Sequence, residues 1–254
     1  MSCWQSSAAR LRMAGLISYC RVQRLRILEI SVESVEAAMA AERGGARRIE
    51  FCSNAREGGT TPSPELLRAV RERVRIPILS MVRPRAGDFV YSDSEFADMM
   101  RALETAKELR MEGIVLGLLK AEGEIDIERT KQLVELARPM PVTFHRAFDE
   151  CADLGRSLED VIKCGATRLL TSGGKRTASE ALDVLGDFVR IAGERLIVMP
   201  GSGLHAGNIR DAVEKTGARE YHAGLSSVVA RAADNVDCFE EEVRKLSSAL
   251  AAGD

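Results

Sequence analysis

The densest set of chemically able side chains lies in the stretch VTFHRAFDE, where His145, Arg146 and Asp149 follow one apolar run. A histidine at such an exit titrates near neutrality and can act as acid or base; Arg146 and Asp149 complete the set, or Arg146 instead anchors the loop. Glu29 in LEIS and Glu50 in IEFC are a second constellation. Period-two alternation puts Glu29 with Ser31, and Glu50 with Cys52, on the same faces of two short runs. Two carboxylates side by side in a dry interior repel, and at least one pKa rises, the condition for an acid/base pair or a metal site. The alternative is structural pairing of each with an arginine. In MVRPRAGDF, Arg83 and Arg85 flank a proline. Arg83 is the better placed to grip a carboxylate or phosphate with two parallel hydrogen bonds, and either arginine could instead neutralise a glutamate. The stretches LTSGG, MPGSG and HAGLSS supply Thr171, Ser172, Gly173, Gly201, Gly203, Gly224 and Ser226. Glycines there let backbone amides approach an anion, or simply make tight turns.

These groups need a scaffold that brings distant stretches to one place. From residue 27 onward short apolar runs alternate with segments of helical period, the pattern of a parallel sheet with helical crossovers. Candidate strands are Ile27–Ser31, Arg48–Cys52, Ile78–Val82, Gly113–Leu118, Val142–His145, Arg168–Thr171, Leu196–Met199 and Glu220–Ala223. Eight of them predict closure into an α/β fold of the parallel eight-stranded (β/α)₈, or TIM-barrel, type over residues 27–254, ending in a C-terminal helix that opens at Asp237. Ser92 with Glu95 predicts a capping box, Ser63 with Pro64 a capped helix start, and Gly44 and Gly165 two helix stops. An open doubly wound sheet usually carries a glycine fingerprint after its first strand, and ISVES has none. In a barrel the working groups gather at the C-terminal strand ends. The EGGTTPSP stretch, Glu57 to Pro64, is then a lid over the mouth or a lead-in to the next helix.

The 254-residue chain carries 36 basic and 38 acidic side chains, a net charge of -2, which gives no global attraction to nucleic acid or anionic lipid. Aromatics make up 4%, leaving few platforms for stacking bases. No apolar run approaches the roughly 20 residues of a membrane helix. The partner expected is a metal ion or a small-molecule anion. Cys3, Cys20, Cys52, Cys151, Cys164 and Cys238 form no CxxC pair, which reads as reduced, cytoplasmic usage. Residues 1–26 stand apart, with five arginines and no acid, as a transit peptide to an organelle or as a disordered extension. No lysine falls in a candidate strand, which disfavours a Schiff-base aldolase, and neither a nucleophile elbow nor HExxH occurs.

Taken together, ERGGARRIEFCSNAREGGTTPSPE, MVRPRAGDFVYSD, PVTFHRAFD, RLLTSGG and the GSG loop resemble the CutC family of copper homeostasis proteins over about residues 27–226. The resemblance implies a barrel, a homo-oligomer, and a role in copper handling or tolerance. It also implies copper as the ligand, pictured in the family at cysteines near the first two strands. Cys52 occupies the second of these places, and Ser31 stands where related sequences often have cysteine. Cuprous ion favours soft thiolate and thioether ligands, so one sulfur makes a poor trap.

Two functions therefore stand side by side. One is a copper-binding protein using Cys52 with help from neighbouring carboxylates and histidine. The other is an enzyme acting on a small anionic or phosphorylated substrate. In that second reading Arg83 and the GSG loop hold the anion, His145 and Arg146 with Asp149 form the catalytic set, and Glu29 and Glu50 orient it or bind a divalent ion.

Overall fold

The computed structural model describes residues 26–224 and 235–252. Apart from Arg26, the extension read over residues 1–26 lies outside them, as does Ser226. The strands are β1 (Ile27–Val32), β2 (Arg48–Phe51), β3 (Ile78–Met81), β4 (Gly113–Leu116), β5 (Val142–Phe144), β6 (Arg168–Thr171), β7 (Ile197–Pro200) and β8 (Glu220–Gly224). The helices are α1 (Val35–Arg43), α2 (Pro64–Arg73), α3 (Asp93–Glu108), α4 (Ile127–Ala137), α5 (Leu154–Cys164), α6 (Leu182–Ala192), α7 (Ile209–Thr216) and α8 (Val236–Ala251). Strand order is β7-β6-β5-β4-β3-β2-β1-β8, so the last strand returns to the first and the sheet curls into a TIM barrel. Among the described residues β7 and β8 lie side by side without a ladder. At that seam a Cβ on Gly201 would come 3.1 Å from the His222 Cβ, so the missing side chain permits the approach.

Local chemistry sets the helix ends. Ser63 accepts from the Leu66 amide with Pro64 in the first turn, and Ser92 and Glu95 form the reciprocal capping box. Gly165 ends α5 with a left-handed φ of 80°. Gly44 serves another need: a Cβ there would sit 2.7 Å from Val243 Cβ, so glycine lets α8 lie against α1. The helix opens at Val236 on an Asn235 cap, one residue before the Asp237 start expected.

Strand side chains divide by alternation. Outward-facing Leu28, Ile30, Ile49, Phe51 and Ile78 pack with Leu67, Val70, Phe239 and Val243 in the layer between sheet and helices. Inward-facing residues split into two regions. Cys52, Leu79, Met81 and Val115 make an apolar cluster. Across from it the interior is ionic: the Arg48 guanidinium donates to Glu29 at 2.5 Å and to Glu220 at 2.5 Å, and Arg168 donates to the same Glu220 oxygen at 2.8 Å. Two arginines thus meet two glutamates. Glu29 is fully buried, and burial alone would favour its neutral form, but Arg48 and His222 together outweigh that and hold its carboxyl down at about 2.

A buried ion pair is weak evidence of net stability, yet removing one partner is costly because the other charge stays uncompensated. We expect Arg48→Met to lose about 3–5 kcal/mol in urea unfolding near neutral pH. The acid limb should respond with a definite sign. Glu29 titrates near 4.5 when unfolded and near 2 when folded, so its contribution is complete above pH 4.5 and lost as pH falls towards 2. In Arg48→Met that loss should begin at higher pH, and an unchanged acid limb would show that Arg48 does not govern Glu29.

Candidate functional site

The C-terminal strand ends enclose a cavity of about 940 Å³ bordered by Ser31, Glu50, Cys52, Arg83, His145, Arg146, Asp149 and His222. Carboxylate, thiol and imidazole come from β2, its exit and β8, a hydroxyl from Ser31 of β1, and guanidinium groups from the exits of β3 and β5, the latter with His145 and Asp149.

His145 follows β5 and caps the short 3₁₀ turn Arg146–Glu150. Its Nδ1 accepts from the Ala147 amide at 3.2 Å, so Nδ1 carries no proton and the neutral ring keeps its hydrogen on Nε2. That Nε2 is buried and has no partner among the described residues. Gly117 makes room for the ring, since a Cβ there would lie 2.4 Å from Nδ1. Burial, then the nearby Arg83 and Arg146, push the His145 pKa down to about 3. The expectation of titration near neutrality is corrected here: a buried imidazole beside two guanidiniums is a hydrogen-bond donor at neutral pH, not a proton-transfer base.

Arg83 lines the same wall, but most of its guanidinium is engaged. Nη1 donates to the carbonyls of Glu57 and Gly59, each at 2.9 Å, and Nη2 to that of Gly87 at 2.8 Å. Only Nε is buried without a partner, so the two-point grip read from sequence is not what the side chain presents. Its positive charge still faces the cavity, stacked 4.8 Å from the Phe89 ring centre. The Glu57–Thr61 loop is a wall latched by Arg83 and by the Thr60 amide donating to Ser53 O at 2.7 Å. Arg85 points elsewhere, to Glu95 at 2.6 Å and Asp88 at 2.8 Å, and neutralises neither Glu29 nor Glu50.

The glycine-rich loop after β6 does form an anion nest, and the chain fills it itself. Asp149 accepts from the Thr171 hydroxyl at 2.5 Å, the Ser172 amide at 3.0 and 3.1 Å, the Ser172 hydroxyl at 2.9 Å and the Gly174 amide at 3.1 Å. The Gly173 amide turns to Thr171 Oγ1 at 2.9 Å. Arg146 ties the cluster together, donating to Asp149 at 2.8 Å, Ser172 Oγ at 3.0 Å and Ser202 Oγ at 3.2 Å. Thr171, Ser172 and Gly173 are therefore not free to cradle an external anion, and Asp149 is their internal one. The Gly201 amide is likewise engaged, on Thr171 O at 3.0 Å. Gly203 has φ 69° and a Cβ there would clash with Thr177 at 2.7 Å, so its glycine is needed for the turn. Gly224 ends β8 on the cavity rim, and the loop beyond it lies outside the described residues.

The two carboxylates read from sequence have different fates. Glu29 is paired with Arg48 and sits below the cavity; Glu50 has no ion pair among the described residues, and its Oε2 is buried without a partner. Burial pushes the Glu50 carboxyl up, His222 opposes, and the Glu29 charge adds to the rise. His222 Nδ1 lies 2.8 Å from Glu29 Oε1. Burial disfavours its charged form, but Glu50 and Glu29 outweigh that and raise its pKa. One ligand atom from each of Glu29, Glu50 and His222 lies within 4.8 Å of the others, a set able to approach a metal ion. Cys52 adjoins this wall through Ser31, whose Oγ is 3.7 Å from its Sγ. Burial, then Glu50, push the Cys52 thiol up to about 12.

Sequence reasoning left out Arg48 and His222 as members of the site. The signal for both was register: Glu29 pairs with Arg48 on one side and with His222 on the other once β8 closes on β1. His145 and His222 border one cavity.

The fold and the cavity define a TIM-barrel protein with a ligand-sized polar chamber at its C-terminal mouth. The CutC family model matches residues 26–227, and the chain belongs to the CutC family. It is 46% identical over 207 residues to the CutC family protein of Chromobacterium violaceum, covering 82% of this chain and 84% of that one. It is 45% identical over 201 residues to the copper homeostasis protein cutC homolog of Mus musculus, covering 79% and 74%. The crystal structure of CutC from Streptococcus agalactiae superposes with a TM-score of 0.74 at 30% identity, over 78% of this chain and 98% of that one.

Asp149→Ala should vacate the nest. We expect this variant to melt at a lower temperature than wild type and to regain part of the loss in sulfate or phosphate, by the linkage of ligand binding to stability. Equal responses of variant and wild type in thermal shift would count against the internal-anion assignment. His145 gives a second check. Its unfolded pKa is 6.5 and its folded value about 3, so its neutral form supports the fold above pH 6.5 and that support is lost as pH falls towards 3. Imidazole ¹⁵N shifts should show His145 still neutral at pH 5, and a titration midpoint near 6.5 would contradict its burial.

Proposed function

We propose that this chain handles copper, as the names of its relatives indicate, and takes cuprous ion at Cys52 and Met81 on the cavity wall. The observation that supports this is convergence on Gly59. The Cys52 Sγ and the Met81 methyl lie 3.2 and 3.3 Å from where a Gly59 Cβ would be, and both residues border the cavity. A thiolate with a thioether is a donor set that suits cuprous ion and discriminates against harder cations. Met81 thus supplies a second sulfur in a chain whose position 31 is serine. Ser31 Oγ lies beside Cys52 as a weak third contact.

The Cys52 thiol is protonated at neutral pH, so copper must displace a proton and binding strengthens as pH rises. The reading includes a reducing, cytoplasmic setting and a homo-oligomer. Cys52, Cys151, Cys164 and Cys238 are free thiols among the described residues, which supports the first.

A second reading, an enzyme acting on a small anionic substrate, draws support from cavity size and from two buried donors without partners. About 940 Å³ far exceeds what a bare ion fills, and His145 Nε2 and Arg83 Nε belong to residues lining it. With Asp149 in the nest, a carboxylate or carbonyl oxygen suits this wall better than a phosphate. Native mass spectrometry of protein purified without chelator separates the readings: a small anion retained by wild type and lost in His145→Ala favours the enzyme.

For the copper reading, competition with a chromophoric cuprous chelator under anaerobic, reducing conditions is decisive. We expect about one equivalent per wild-type chain, at least tenfold weaker binding in Cys52→Ser and an intermediate loss in Met81→Leu. Cys52→Ser binding as tightly as wild type would sink this site.

A further inference from the structure

The geometry points to a second metal site, independent of the sulfur pair, in which Glu50 and His222 bind a borderline divalent cation and Glu29 orients the histidine. Its ligands are nitrogen and oxygen, so its ion belongs to the class of Zn²⁺, Co²⁺ or Mn²⁺, not to cuprous ion.

Three observations converge. The ligand atoms of Glu29, Glu50 and His222 lie within 4.8 Å of one another, close enough for one ion to bridge two of them. Glu50 is 4% exposed, yet its Oε2 has no hydrogen-bond partner and none of its oxygens is in an ion pair among the described residues. A buried carboxylate oxygen without a partner carries a desolvation penalty that a cation would remove. The third observation is the arrangement around His222. Its Nδ1 is 2.8 Å from Glu29 Oε1, which leaves Nε2 as the ligating atom, and a carboxylate behind a metal-bound imidazole is the usual way its tautomer and direction are fixed.

Arg48 does not preclude a cation here. Its guanidinium donates to Glu29, to Glu220 and to Met199 Sδ at 3.3 Å, so its charge is matched within the barrel base. Glu29 is 0% exposed and absent from the cavity wall, whereas Glu50 and His222 both border it. An ion held by those two keeps its remaining positions open to the cavity. The His145 donor and the Arg83 charge border the same cavity. A small ligand carrying two oxygen donors, such as a hydroxycarboxylate, could chelate the ion and meet His145 with its other end.

The test begins with chelator-treated full-length protein titrated with Zn²⁺ and followed through imidazole resonances, because the chain has 3 histidines. We expect one equivalent to shift His222 and leave His145 and His205 in place. Calorimetry should then show binding about ten- to hundredfold weaker in Glu50→Gln and in His222→Gln, and little changed in Cys52→Ser. The Co²⁺ form should have no thiolate charge-transfer band. The proposal is overturned if His222 does not move, if His205 alone moves, if a folded Glu50→Gln binds like wild type, or if a thiolate band appears and vanishes in Cys52→Ser. The resonance test uses wild type alone, so it holds even where a variant fails to fold. Cuprous binding at Cys52 is read separately, so either site can fail without the other.

Discussion

The guanidinium of Arg48 lies between two carboxylates in a part of the barrel closed to water, and most of what the cavity can do follows from that placement. Because Arg48 holds Glu29 ionised, Glu29 is an obligatory acceptor, and the facing nitrogen of His222 must be its donor. Arg48 also engages Glu220, and Arg168 donates to the same carboxylate, so among the described residues neither arginine forms an ion pair with Glu50. One buried ion network thereby decides the tautomer of one residue and the isolation of another.

The opposite wall applies the same logic with reversed polarity. A backbone amide, that of Ala147, occupies Nδ1 of His145, which therefore presents N–H to the cavity. A carboxylate occupies Nδ1 of His222, which in its neutral form presents a lone pair from the other nitrogen. Two imidazoles of opposite character thus border one chamber, each set by what lies behind it. Asp149 plays a related part by saturating the donors of the β6 loop.

The barrel was legible in the sequence because short apolar runs alternate with segments of helical period, and all eight candidates agree with the observed strands within one or two residues. Caps at Ser63 and Ser92 were legible for the same reason: they are local chemistry. The identity of the partners was less so. Whether a glutamate meets an arginine depends on which strands become neighbours, and β1 meets both β2 and β8 only after closure. The glycines after β6 were read as a place where amides approach an anion, but composition gives no sign that a carboxylate 22 residues upstream would fill it. The tautomer of His145 also escapes a linear reading, since it depends on a turn that bends the Ala147 amide back on the ring.

The pairing of β8 with β1 carries a further consequence for when the chamber comes into being. Ile27 to Ser31 meet Glu220 to Gly224, residues from opposite ends of the barrel's chain, and such distant pairings close the largest loop and are entropically the slowest to form. His222 arrives with that strand, while Glu29 and Glu50 are made first as the polypeptide emerges. During synthesis the early strands can gather before the chamber is complete, and its His222 wall waits for the final strand to dock. A chain truncated before β8 would carry most of the cavity wall and lack the histidine that completes it.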